Sequence, residues 1–189
     1  GTLPPRARRA AGLCVGPEER LGHAAAPTLS LTENALLTAD TREELSHRGF
    51  INWPKTRGFA EKVIQGFDVR TPGPEAAAQS LSGGNLQKFV MGREMLQAPK
   101  ALVINQPTWG VDAAAAASIR QKLLEMAEQG VAIIVISQDL DELFEIADRF
   151  AALNEGKLSD TRPMAELSMD EIGLMLGGAH GAADGIEAA

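Results

Sequence analysis

Two uninterrupted apolar runs, Ala101-Leu102-Val103-Ile104 and Val131-Ala132-Ile133-Ile134-Val135-Ile136, constrain the fold of this chain most tightly. Neither alternates with polar residues, so neither reads as a strand with one wet face. Both read as strands of a parallel sheet with each face covered. Residues 113–129 between them have helical spacing, with Ile119, Leu123 and Met126 aligned and Gly130 as the stop. An earlier run at residues 11–15, containing Cys14, reads as a further short buried strand. Strand, helix, strand in this order predicts an α/β layer.

Ahead of the first run lies Leu81-Ser82-Gly83-Gly84-Asn85-Leu86-Gln87-Lys88. Two glycines behind a serine let a backbone approach an anion closely, and the next residues lack glycine and proline, so a helix can start there. Taken alone the triplet is a weak signal, since most such triplets are plain turns. The spacing predicts a helix over 86–96, ended near Pro99.

The order of segments from Leu81 to Asp139 resembles the ATP-binding-cassette (ABC) ATPases. Leu81-Ser82-Gly83-Gly84-Asn85 is similar to their signature motif, and Ala101 to Thr108 to the Walker B strand with its Pro-Thr tail. Trp109-Gly110-Val111-Asp112 stands where the D-loop would be, and Ile136-Ser137-Gln138-Asp139 where the switch loop would be. The likeness extends over residues 12–158, and Asn85 with Leu-Gln-Lys beyond it most resembles the sugar and nucleoside importers, whose ATPase carries two cassettes in one chain. The resemblance implies a P-loop NTPase-like α/β fold. Its expected parts are a core-lobe remnant at 1–27, a helical signature subdomain at 28–98, a core lobe at 99–160, and a C-terminal helix with a disordered tail at 161–189.

The same resemblance implies ATP and Mg²⁺ as cofactors of the full assembly, another cassette and transmembrane permease subunits as partners, and a place on the cytoplasmic face of the membrane. Ser82, Gly83, Gly84 and Asn85 would contact a nucleotide held by a different cassette, with Asp112 in the D-loop beside them. Glu18, in Gly16-Pro17-Glu18-Glu19-Arg20, occupies the position of the Q-loop glutamine. Glu19 reads equally as part of a charged turn, with Arg20 available to pair with either carboxylate.

Several family positions depart from the pattern. No G-x-x-x-x-G-K-[S/T] occurs in the 189 residues, although such a loop is what cradles nucleotide phosphates. The start at what would be a mid-domain strand predicts a piece of a longer chain. Asn105 replaces the Asp that helps hold Mg²⁺, Gln106 the Glu that polarises the attacking water, and Gln138 the switch histidine. An amide is a poor proton acceptor, and loss of a general base typically costs ~10²–10⁴ in rate. Three neutral amides at three such positions imply natural degeneration, so the chain alone is expected to be inactive. A non-transport nucleotide-gated module and an inactive structural remnant are the alternative readings.

The net charge of −7 gives no basic field for a nucleic acid, and a single cysteine excludes an internal disulfide. His23, His47 and His180 share no ligand spacing, and no apolar stretch reaches membrane-spanning length. Within the remaining chain, Ser30 and Glu33 predict a capped helix with Leu31, Ala35 and Leu36 on one face. Asn52-Trp53-Pro54 reads as an interruption, followed by a helix over 58–67 that aligns Phe59, Val63 and Phe67. Trp53 is expected in the core. Residues 1–9 are expected to be disordered, 139–147 helical with Leu140, Leu143 and Phe144 buried, and Ser168 with Glu171 to cap a last short helix.

Overall fold

The computed structural model describes residues 2–178, so the tail expected over 180–189 lies outside the described residues. The chain forms two compact units, Gly1–Gln138 and Asp139–Ala189.

In the first unit a parallel sheet runs in the order β1-β4-β5, from β1 (Leu13–Gly16), β4 (Ala101–Asn105) and β5 (Ala132–Ile136). Val15 lies opposite Val103, and Val103 opposite Ile134. Helix α4 (Gly83–Met95) packs on β1, and Met91 and Ile104 meet beside Gly16. Cys14, Leu102 and Ile104 on that face are fully buried.

The opposite face corrects one expectation. Ile134 and Ile136 are 59% and 50% exposed and Val15 is also exposed, so only one face of the sheet is covered among the described residues. The non-alternating runs carry the chemistry of a sheet buried on both sides, while α4 supplies cover for one.

Helices α2 (Leu31–Glu43) and α3 (Trp53–Gly66) pack on α4 and on each other. The Ser30–Glu33 capping box starts α2, and Leu31, Ala35 and Ala39 form its buried stripe, while Leu36 is half-buried. Asn52-Trp53-Pro54 proves to be the start of α3 rather than an interruption. Asn52 accepts a hydrogen bond from Lys55 N–H, and Pro54 sits in the first turn, where its missing donor costs nothing. That start puts Trp53 on the first turn at 47% exposed, outside the core formed by Phe59, Val63 and Phe67. Beside it a two-stranded hairpin, β2 (Ser46–His47) with β3 (Phe50–Ile51), leaves Phe50 80% exposed. Helix α5 (Ala113–Glu128) buries Ile119 and Leu123, and Lys122 Nζ lies 5.2 Å from the centre of the Phe67 ring.

The N-terminal segment is helical over α1 (Pro5–Ala10), not disordered. Proline at the first position presets the helix, and Arg9 donates to Glu94 at 3.0 Å, which ties the segment to α4. Glu94 belongs to a fully buried polar cluster. Arg93 donates through Nε to Glu94 (2.9 Å), through Nη1 to the Asn34 carbonyl (3.0 Å) and through Nη2 to the Ala24 carbonyl (2.8 Å). Asn34 in turn accepts from Ala26 N–H and donates to the Ala26, Leu29 and Ser30 carbonyls. A buried polar group must be paired, and here the pairing fixes the route of residues 24–34.

The second unit contains α6 (Leu140–Ile146), capped by Asp139. It continues with the pairs β6 (Arg149–Phe150) with β9 (Arg162–Pro163) and β7 (Leu153–Asn154) with β8 (Lys157–Leu158). Helix α7 (Met169–Leu176) is capped by the Ser168–Glu171 box. Leu143 is buried as expected, Leu140 is half-buried, and Phe144 is exposed instead, at the flank of a helix of only two turns.

Candidate functional site

The carboxyl ends of parallel strands are where an α/β sheet presents its loops, and the residues singled out in the sequence gather there. Asn105 ends β4 opposite Ile136, the last residue of β5, and Gln106 N–H donates to the Ile136 carbonyl at 2.8 Å. Gln138 follows two residues later and is exposed. Gly16 ends β1 opposite Ile104, so the loop that carries Glu18 opens beside Asn105. Asn105 Nδ2 donates to Glu18 Oε2 at 3.2 Å.

Gln106 is buried and holds a left-handed backbone, φ 52°. A non-glycine residue in that region is held there by its surroundings. The holding group is Gln87, one turn into α4, whose Nε2 donates to the carbonyls of Gln106 (3.0 Å) and Pro107 (2.9 Å). Gln87 is fully buried and was not singled out in the sequence as a site residue. Its position one helical turn past Gly83 and Gly84 was the available signal.

Ser82 is the N-cap of α4, so the helix starts at Gly83, earlier than the expected residue 86. The Ser82 hydroxyl accepts from Asn85 N–H (3.4 Å) and from Asn85 Nδ2 (2.9 Å). The other end of the Asn85 amide accepts from Arg70 N–H at 2.9 Å. Asn85 thus orders the cap and fixes the preceding loop, while Ser82 and Gly83 stay exposed at the helix tip.

The space beside both glycines is taken by the chain itself. A Cβ on Gly83 would stand 2.6 Å from Arg20 Nη1, and one on Gly84 would stand 2.7 Å from the Gly110 carbonyl oxygen. Intramolecular packing therefore requires glycine at 84, where the obstacle is backbone, whereas a side chain at 83 would push the mobile end of Arg20 aside. Arg20 donates through Nη2 to the Trp109 carbonyl at 2.8 Å, so its partner is a backbone oxygen rather than Glu18 or Glu19. Glu19 Oε2 instead lies 2.6 Å from His23 Nδ1. Partial burial pushes the Arg20 pKa down.

Asp112 caps α5 by accepting from Ala115 N–H at 2.9 Å, and this bond holds its carboxyl below the usual carboxylate value. Its other oxygen lies 3.9 Å from Lys88 Nζ, and the nearly buried Lys88 also donates to the Asp68 carbonyl at 3.1 Å. Lys88 therefore bridges the loop before the α4 tip to the loop after β4. An open cleft of about 800 Å³ beside the tip is lined by Glu18, Arg20, His23, Leu81, Gly83 and Trp109. Among the described residues no His, Cys, Asp and Glu cluster is suited to a metal ion, and no helix is long and apolar enough to cross a membrane.

No protein-family model matches the chain. Among curated proteins it is 34% identical over 163 residues to the nucleoside import ATP-binding protein NupA of Lactococcus lactis, covering 86% of this chain and 32% of NupA. It is 36% identical over 170 residues to the glucose import ATP-binding protein TsgD13 of Haloferax volcanii, covering 88% and 31% of the two chains. With the guanosine import ATP-binding protein NupO of Bacillus subtilis it shares 32% identity over 176 residues, covering 93% and 34%. The chain thus spans about a third of the length of the curated relatives it matches.

Among solved structures, the dimeric post-hydrolysis state of the ATP-binding cassette MJ0796 bound to ADP and Pi superposes with a TM-score of 0.67 at 20% identity, over 86% of this chain and 68% of that one. The ATP-binding subunit of an ABC transporter superposes with a TM-score of 0.69 at 19% identity, over 92% and 71%. These structural likenesses establish the fold, and the sequence relatives carry the same assignment. The chain has the fold of the ATP-binding-cassette ATPases and is similar over most of its length to about a third of each import ATP-binding protein named above.

Proposed function

We propose that this chain is part of the ATP-binding subunit of a sugar or nucleoside importer. In this reading it lends the tip of α4 to a nucleotide site on another cassette, while its own catalytic positions are degenerate. The observation that carries the reading is the contrast between two places at one sheet end. The tip at Ser82 and Gly83 is exposed and heads a 13-residue helix, whereas Asn105 and Gln106 are neutral and engaged within the chain.

The fit to each ligand differs. The free N–H groups at the α4 tip and the Ser82 hydroxyl suit the phosphates of a nucleotide held elsewhere. A bound nucleotide would supply the phosphoryl group that is cleaved, and this chain's residues would close and orient that site. The donor set around Asn105 does not suit a resident Mg²⁺. It offers one exposed carboxylate, Glu18, already accepting from the Asn105 amide, where a hard cation favours charged oxygens. No step is assigned to Gln106 or Gln138 in chemistry on this chain's own side.

The assembly with permease subunits at the cytoplasmic face of the membrane belongs to the same reading. Supporting it are the exposed Phe50, Ile51 and Trp53 on the helical lobe, an apolar surface of the kind that marks a partner contact.

The test is transport by the chain assembled with an intact cassette and membrane subunits. Ser82→Arg is expected to abolish ATP-driven uptake, and uptake that survives refutes the closing-wall role. The chain alone is expected to show no ATP turnover, and turnover unaided refutes the degeneracy. Nucleotide-dependent association with the intact cassette separates this reading from a structural remnant. Copurified nucleic acid would favour the non-transport module.

A further inference from the structure

The residues that build the α4 tip leave Arg20 unexplained. It belongs to the loop after β1, yet its guanidinium lies across two other segments. Nη2 donates to the Trp109 carbonyl at 2.8 Å, Nη1 stands 2.6 Å from the Cβ position of Gly83, and Nη2 stands 3.0 Å from that of Gly110. A side chain at either glycine would displace it.

The base of Arg20 is firmly held. Its own carbonyl accepts from Ala25 N–H at 2.7 Å, and the Glu19 carbonyl accepts from Ala24 N–H at 3.0 Å. The same turn is gripped from below, because Arg93 of α4 donates to the Ala24 carbonyl and Asn34 of α2 clasps Ala26 on both sides. Arg20 therefore reaches out from a fixed turn to a loop that Gln87 grips at Gln106 and Pro107 and that Asp112 ties to α5, and in which the exposed Trp109 lies between those two anchors.

We infer that Arg20 is a positioning residue that locks the Trp109–Gly110 loop against the tip of α4, so that the Glu18 loop, the tip and the Asp112 loop move as one body. This rests on the reading of the tip as the wall of a partner's nucleotide site. The physical reason is reach and geometry. A planar guanidinium can donate to a carbonyl while lying flat over a glycine, and a lysine at the same place offers one donor point and no plane. The two glycines and the arginine are one unit: Gly83 leaves its side-chain space to the guanidinium, and Gly110, glycine already for its backbone at φ 70°, leaves it room as well.

The experiment has a structural and a kinetic arm. With Trp53→Phe, Trp109 becomes the only tryptophan, and its anisotropy and acrylamide quenching report the loop in the chain itself. Arg20→Ala is expected to lower the anisotropy and raise quenching, Arg20→Lys to fall between, and Gly83→Ala to match Arg20→Ala by pushing the guanidinium away. In the assembly with an intact cassette, Arg20→Ala is expected to lower kcat by roughly 10–100-fold with little change in KM, the scale of a misplaced site group. Arg20→Ala combined with Gly83→Ala is expected to be no worse than either alone, since both break one contact. Unchanged Trp109 signals, or multiplicative kinetic effects in the double variant, overturn the positioning role when Ser82→Arg still abolishes turnover. Turnover that survives Ser82→Arg instead overturns the reading of the tip.

Discussion

Replacing Arg93 with methionine tests whether the buried polar cluster holds α4 to the chain around it. Arg93 and Glu94 are both fully buried, and burial alone pushes the Arg93 pKa down while Glu94 pushes it back up. The substitution removes three hydrogen bonds of 2.8–3.0 Å, leaving Glu94 with Arg9 alone and the Ala24 and Asn34 carbonyls without their donor. An orphaned buried acceptor costs about 1–3 kcal/mol, and breaking a buried ion pair by deleting one member about 3–5 kcal/mol. These costs share one site and are not summed. The expected loss is about 3–5 kcal/mol, a fall in Tm of roughly 6–20 °C for a chain of this length. Urea unfolding followed by circular dichroism, with m unchanged, measures it. Removing both charges in Arg93→Met/Glu94→Leu is expected to recover most of the loss, because a hydrophobic pair needs no partner. A single variant costing under about 1 kcal/mol, or a double variant as poor as the sum of both singles, refutes the account.

Three further outcomes follow from other parts of the molecule. Burial, followed by the nearby Glu94, raises the Cys14 thiol to about 11, so its reaction with an aromatic disulfide at neutral pH should be slow until denaturant is added; rapid labelling of the folded chain contradicts the burial. The Glu171 carboxylate is held down to about 2 by the Ser168 backbone N–H first, then by Arg162 and the Ser168 hydroxyl. A depressed folded pKa stabilises above the ordinary 4.5 and loses that contribution as pH falls toward about 2, so amide protection factors in α7, taken against the intrinsic rate at each pH, should fall across that window and Glu171→Gln should flatten the dependence. The exposed sheet face at Val15, Ile134 and Ile136 should drive self-association of the isolated chain, weakened by Ile134→Lys, and a monomer throughout a light-scattering concentration series would contradict it.

Much of this molecule is local and therefore readable from residue order. Strands β4 and β5, helix α5, the capping boxes at Ser30 and Ser168, and the start of a helix at the Ser-Gly-Gly segment depend on spacing and on side chains that bond within a turn of themselves. The same order of segments disclosed the cassette fold, and the amides at Asn105, Gln106 and Gln138 were visible as departures from the pattern it resembles.

Tertiary structure alone decided what depends on residues far apart in the chain. Disorder was the natural reading of residues 1–9 until Glu94 supplied a partner 85 positions away for Arg9. Trp53 has the composition of a core residue, but its place on the first turn of α3 turns it outward. The partner of Arg20 is a backbone oxygen 89 positions along, which no spacing rule reveals. Whether a sheet face is covered depends on which segments return over it, a property of topology that a strand's own residues can require but cannot provide.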